Sequence, residues 1–216
     1  MRERVKGARR YDSAGRKAQA RRSRAEILDT AERMFLDAGY TATTVAAIAR
    51  DAGVSVETIY KAFGGKPGLV RAIFDRGLIG LGPKPAYERS DEMREAQSDP
   101  RTIMENWGEL TAEVASVVTP IRQLMRAAAA IDPDLAVVLA ESENERLTRM
   151  RHHARFLAER GYLREGVTSN HAADILWVCS SVEVYELLVT QRGWSMRKFG
   201  QFVAEFMTTA LLPESP

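Results

Sequence analysis

The stretch TTVAAIARDAGVSVETIYKAFGGKPGLV, residues 43–70, constrains the fold more than any other part of the chain. It joins two short amphipathic runs through a turn at Gly53. Where the second run crosses the first, a small side chain is required, and Ala49 supplies it. Four residues later the turn requires positive φ, which glycine adopts at little cost. Val54 and Ile59 then bury the second run against the first, leaving Val56, Glu57, Thr58, Lys61 and Ala62 around its outer surface. A helix held proud of its domain in this way fits the major groove of duplex DNA. A purely scaffolding hairpin of helices shares the same spacing, so a second criterion is needed.

Charge supplies it. Residues 1–81 hold 16 Lys and Arg against 9 Asp and Glu, a balance of +7, whereas residues 82–216 hold 15 against 20, a balance of −5. The segment 1–24 alone carries ten cations against Glu3 and Asp12, or +8. A solvated basic tail accounts for that count by itself, but an arm of this kind beside an exposed helix points to a polyanion.

The remaining chain reads as helix, with no sustained period-two alternation and no hairpin dipeptides. Ile27, Leu28, Ala31, Met34, Phe35 and Ala38 share one face of a helix stopped at Gly39. Thr43 or Thr44 caps the next, Ser55 the one after, and a fourth runs from about Lys66 to Leu81. Residues 82–100, GPKPAYERSDEMREAQSDP, are rich in Pro, Gly and charge and predict a loose connection. Asp99-Pro100 and Asp132-Pro133 each predict an N-cap followed by Pro in the first turn. They open one helix to about Val118, restarted or kinked at Pro120, and another to Arg160. A run over 169–192 and a last helix from Ser195 to about Leu212 complete the pattern. No apolar run approaches the ~18–20 residues that cross a bilayer. One cysteine excludes an internal disulfide, and no secretory signal opens the sequence. A soluble, cytoplasmic protein without membrane association is the expectation.

Thr44 through Leu69, preceded by ILDTAERMFLDAGY, closely resembles the DNA-binding domain of TetR-family transcriptional regulators. The resemblance spans about residues 25–80. Ala62, where the family often has His or Tyr, and Pro67, where an acidic residue is common, depart from its pattern. It implies an all-α fold: an N-terminal three-helix domain with a helix-turn-helix, joined by a connecting helix to a C-terminal helical ligand-binding and dimerisation domain. The expected division is a basic arm over 1–24, the helix-turn-helix domain with its connecting helix over 25–81, a linker over 82–100 and the C-terminal domain over 101–216. Carried over by position, Thr44, Tyr60 and Lys66 would contact phosphates, while Ser55, Val56, Glu57, Thr58 and Lys61 face the groove and set sequence choice. Arg21, Arg22 and Arg24, just before the first expected helix, would touch the backbone or minor groove. The function implied is that of a regulator, in the family's common mode a repressor, released from a palindromic double-stranded operator by a small apolar ligand. The alternative is a DNA-binding regulator with no such ligand, governed by a protein partner or by abundance.

Two C-terminal helices are apolar on more than one side. Val182, Val184 and Leu188 with Phe199, Phe202 and Phe206 form the expected interface of a homodimer, whose two-fold axis would match a palindrome. Met104, Trp107, Leu110, Met125, Leu147, Met150, Phe156, Trp177 and Tyr185 are the large or pliable side chains expected to line a ligand pocket. His152, His153, Glu183 and Glu186 are candidates for polar anchors, with surface placement expected, and adjacent histidines point about 100° apart on a helix, which argues against a shared metal. Catalysis finds no support. FGGKPG lacks the glycine and hydroxyl positions of a P-loop, and GLIGLG ends a helix rather than following a strand. No enzyme activity, metal or cofactor is expected.

Overall fold

A computed structural model describes residues 13–214, with the side chains of residues 13, 14, 16 and 17 left aside. The described residues form helices and connections and contain no strand. α1 (Ser13–Ala42) kinks at Gly39, where φ is 83°. The buried Thr43 hydroxyl lies 2.8 Å from the Gly39 carbonyl and 3.0 Å from that of Met34, satisfying acceptors that the kink releases. α2 (Val45–Asp51) and α3 (Val56–Phe63) follow, capped by the side chains of Thr44 and Ser55. Gly53 takes φ 66° between them, and the Val54 amide returns to the Ala49 carbonyl at 2.9 Å. α4 (Lys66–Gly77) leads out of this unit.

α1 starts twelve residues before the expected 25, so the second half of the basic arm is helical. Its composition, AGRKAQARRSR, is dominated by good helix formers, and that favours continuation of α1. The arm's first half, residues 1–12, lies outside the described residues. The stretch expected as a loose linker also holds a helix, α5 (Ala86–Ala96), which buries Ser90 and Arg94. It carries no apolar stripe; polar contacts hold it, which hydrophobic periodicity does not register.

α6 (Pro100–Ala129) runs unbroken through Pro120. A proline inside a helix costs about 3 kcal/mol. Burial of Val118, Ile121 and Met125 around it supplies the compensation. α7 (Pro133–Glu159) starts at the Asp132 cap and α8 (Ser169–Cys179) at Thr168. α8 ends eleven residues in, because the Arg146 guanidinium from α7 binds the Trp177 carbonyl and the Ser180 hydroxyl there. α9 (Val182–Tyr185) follows and widens into a π-helical stretch, Glu186–Gln191, before α10 (Met196–Leu211).

Two clusters of buried side chains hold these elements. One joins α1–α4 to α6 and α7 through Ile27, Phe35, Ile59, Leu69, Ile121 and Leu135, so the N-terminal unit shares its core with the C-terminal helices. The other packs α10 on α6, α7 and α8 through Phe199, Val203, Met207, Trp107 and Leu176. At the α6–α10 crossing Gly108 faces Gly200, and a Cβ on Gly108 would lie 2.5 Å from the Gly200 carbonyl oxygen.

Candidate functional site

α3 presents one continuous exposed face. Ser55, Val56, Glu57, Thr58, Tyr60, Lys61 and Ala62 all reach solvent, and the Tyr60 ring is 55% exposed, while Ile59 alone is fully buried beneath them. Two caps fix this helix. Ser55 Oγ accepts from the Thr58 amide at 3.1 Å and pairs with the Thr58 hydroxyl at 2.8 Å. At the other end Gly64 takes φ 76°. Arg24 also reaches that end from α1, donating to the Ala62 carbonyl at 3.2 Å with its guanidinium 4.2 Å over the Phe63 ring. A cation at a helix C-terminus is favourable. The face of α3 is thus rigid and faces away from the core.

Behind it lies a cavity of about 810 Å³ among α4, α5, α6, α7, α8 and α9. Phe74 of α4, Leu78 at its C-terminal cap, Trp107, Leu110 and Val114 of α6, Met150 of α7 and Leu176 of α8 give it apolar walls. The Cys179 thiol, raised to about 12 by burial, adds another neutral surface. One end is polar. Arg122, almost wholly buried, donates to Ser142 Oγ at 2.5 Å and to Glu143, and Arg146 meets the same carboxylate at 2.8 Å. Burial alone would push the Glu143 carboxyl up, but Arg146 and Arg122 more than offset it and hold the group below its usual range. Arg71 of α4 joins Asp75 and Glu145, each at 2.7 Å.

The opposite wall is built on α5. Trp107 Nε1 donates to the Ser90 carbonyl at 3.1 Å, and its ring lies 4.3 Å from that of His153. His153 is 4% exposed, and its Nε2 lies 3.2 Å from Ser90 Oγ. Burial, then the charges of Arg149 and Arg94, push its pKa well below that of an ordinary histidine, so the ring is neutral. Arg149 binds Asp91 at 2.5 Å and also reaches the Tyr87 carbonyl.

Known proteins share parts of this sequence and fold. Residues 27–73 match the sequence profile described as bacterial regulatory proteins, tetR family. The chain is 44% identical over 59 residues to the HTH-type transcriptional regulator TtgR of Pseudomonas putida, a match that covers 27% of this chain and 28% of that one. The likeness to this relative therefore spans little more than a quarter of its length. Solved structures extend it over most of the fold. NalD of Pseudomonas aeruginosa, described as the secondary repressor of the MexAB-OprM multidrug efflux pump, superposes with a TM-score of 0.69 at 20% identity, over 92% of this chain and all of its own. The SmeT–triclosan complex gives 0.69 at 21% identity, over 89% and 93% of the two chains. At these identities the structural likeness is one of fold. Residues 27–73 thus carry a tetR-family DNA-binding domain, and the whole chain has the fold of the solved TetR-family regulators.

The TetR fold brings together only part of the residues singled out from sequence. Ser55, Val56, Glu57, Thr58, Tyr60 and Lys61 share the exposed α3 face, with Thr44 exposed at the start of α2 and Arg21 and Arg22 exposed on α1. The Thr44 side chain accepts from the Ala47 amide at 3.1 Å, which leaves its hydroxyl hydrogen free to donate outward. Lys66 departs from the expected phosphate contact, because its ammonium is occupied inside the molecule. Nζ donates to the Tyr40 carbonyl at 2.6 Å and sits 4.0 Å over the Tyr40 ring, and burial lowers its pKa.

Of the nine expected lining residues, Trp107, Leu110 and Met150 border the cavity. Met104 and Met125 are fully buried core residues, and Leu147, Phe156, Trp177 and Tyr185 face elsewhere. Tyr185 packs edge-on against Phe199 at 5.3 Å, and Arg146 covers the Trp177 ring. Phe199 and Val182 are a correction to the expected subunit interface: both are buried within this chain. The buried side of α10 is 199, 203, 207 and 211, so Phe206 stays 45% exposed and Phe202 half-buried. Val184 and Leu188 are half-buried, beside exposed Val178 and Leu187. His153 is the second correction. Expected at the surface, it is a buried cavity residue, because α5 covers that side of α7. Sequence reasoning missed Phe74, Leu78 and Ser90 as lining residues.

Proposed function

We propose that this chain is a sequence-specific DNA-binding regulator, a repressor that binds a palindromic operator as a homodimer and leaves it when a small, largely apolar ligand fills the cavity. The observation that carries this reading is the double role of α4. It closes the helix-turn-helix unit through buried Leu69, Val70 and Ile73, while Arg71 and Phe74 on the same helix, with Leu78 at its C-terminal cap, enter the cavity wall. A molecule that displaces Phe74 must move α4, and α4 carries the reading helix with it. The SmeT–triclosan complex supports a ligand of this chemical character in this fold. The volume of the cavity weighs against the alternative of a regulator that senses no small molecule, since such a protein has no need of an open space there.

On DNA, Thr44 and Tyr60 would hold phosphates, with Arg21 and Arg22 neutralising the backbone alongside, while Ser55, Val56, Glu57, Thr58 and Lys61 read base edges. Arg24 is spent mainly on securing α3. The dimer would form through the exposed apolar side of α8, the π-helical stretch and α10, centred on Val178, Leu187 and Phe206 with Val184, Leu188 and Phe202 at their flanks. A two-fold dimer places its two α3 helices on half-sites roughly 34–36 Å apart or a multiple of that.

The test is fluorescence anisotropy on labelled duplexes tiled across the DNA upstream of the gene, read at two salt concentrations. One duplex with an inverted repeat is expected to bind at nanomolar protein, and ligand is expected to lower that affinity by a coupling of about 1–3 kcal/mol. The coupling is reciprocal, so operator weakens ligand by the same factor. Purified protein that ignores every duplex at low ionic strength refutes the proposal; equal ligand affinity for free and operator-bound protein refutes the switch.

A further inference from the structure

Two unpartnered polar atoms on one wall of the cavity, both on α7, say what the ligand must offer there. Ser90 Oγ has a single hydrogen and lies 2.8 Å from the Tyr87 carbonyl, a group that only accepts. Once the hydrogen is given there, Ser90 Oγ faces His153 Nε2 as an acceptor, so Nε2 carries the ring's proton. Arg149, which also donates toward Ser90 Oγ at 3.3 Å, is consistent with that assignment. In a neutral imidazole the other nitrogen is then a bare lone pair. His153 Nδ1 is buried and has no hydrogen-bond partner among the described residues. One helical turn earlier on α7, at the i−4 position that shares its face, Arg149 Nε is a buried donor that likewise has none. Both residues line the cavity.

We infer that the effector is a largely apolar molecule bearing a hydroxyl group, which donates to His153 Nδ1 and accepts from Arg149 Nε. A hydroxyl is the smallest group that does both. A ligand with no donor leaves the imidazole nitrogen buried and unpaired, and a carboxylate sets negative charge against that lone pair. The apolar remainder lies along Phe74, Trp107, Leu110 and Met150. This inference rests on the ligand-binding reading given above and narrows it.

Three probes of matched shape test it by isothermal titration calorimetry: 4-hexylphenol, its methyl ether 4-hexylanisole, and 4-hexylbenzoate. The phenol is expected to bind, and the ether and the benzoate to bind at least about tenfold more weakly, the scale set by one buried polar group left unpaired. This comparison uses the unaltered protein and does not depend on a variant folding. In His153→Phe the preference for phenol over ether is expected to vanish, and in His153→Gln, which retains an acceptor oxygen, to persist in part. Ether binding as tightly as phenol, or benzoate binding most tightly, overturns the hydroxyl assignment while leaving the cavity a ligand site. If none of the three binds, the ligand reading itself falls, and this inference with it.

Discussion

Gly108→Ala sets two well-understood effects against each other, and the structure decides which wins. Within a helix, replacing glycine by alanine stabilises by about 1 kcal/mol. Here the new methyl would sit 2.5 Å from the Gly200 carbonyl oxygen and 2.9 Å from Ala204 Cβ, and the first of these is backbone that no rotamer change can move. Restoring even a tight contact of 3.0–3.4 Å requires α6 and α10 to separate by roughly 0.5–0.9 Å. A gap of that order forfeits about a quarter to a half of each dispersion contact across it. Phe199, Val203, Met207 and Leu211 all pack across this crossing. Full burial of each is worth about 1.5–3 kcal/mol, so losing a quarter to a half of the contacts on the one side of each that meets α6 costs about 1–3 kcal/mol together. Net of the helix gain, the variant loses about 1 kcal/mol. For a chain of this size that lowers Tm by roughly 2–4 °C. Differential scanning calorimetry on both proteins at one concentration and pH measures it. A variant that melts at or above the parent shows that the crossing has room to spare and refutes the packing argument.

Three further outcomes follow from single contacts. Tyr40, whose hydroxyl donates to Asp132 at the cap of α7, links the N-terminal unit to the C-terminal helices; Tyr40→Phe is expected to lower stability by about 1–2 kcal/mol in urea unfolding and to weaken ligand–operator coupling, and unchanged coupling would separate that link from the switch. Lys61→Ala is expected to weaken operator binding and to reduce the slope of log K against log salt by about 1 if it meets a phosphate, or to relax preference at one base pair by about 1–3 kcal/mol if it meets a guanine; no change on either measure removes Lys61 from the interface. Because burial and neighbouring arginines depress the His153 pKa, the unfolded chain takes up a proton as pH falls below about 6.5 while the folded chain does not. Stability is therefore complete above that pH and declines below it, by up to about 1.4 kcal/mol per pH unit until the depressed value is reached, and the pH dependence of Tm in His153→Gln should be shallower than in the parent.

The helix-turn-helix was legible because every constraint on it is local. Ala49, Gly53, Ser55 and Ile59 each satisfy a steric or hydrogen-bonding demand of a neighbour within ten residues, and the spacing leaves one solution. The cavity obeys no such rule. Met104 and Trp107 lie about one turn apart on α6 and are both large and mostly apolar, yet one is sealed in the core and the other borders open space. What separates them is how far α5 and α7 stand from α6, a long-range outcome that periodicity cannot encode. α5 itself escaped notice because Ser90, Arg94 and Asp91 hold it by polar contacts where a stripe of leucines would have announced it. The division of the three α10 phenylalanines between core and surface has a related cause. Phe202 and Phe206 match Phe199 in hydrophobicity, and only the small residues Gly200 and Ala204 show which side meets α6, since a close crossing selects for missing side chains. The large apolar residues of these C-terminal helices thus mark three different surfaces: core, cavity and outer face. Small residues and unpaired polar atoms are what tell these surfaces apart, and His153 is the clearest case, since a buried imidazole with one nitrogen unengaged belongs to neither a finished core nor a solvated surface.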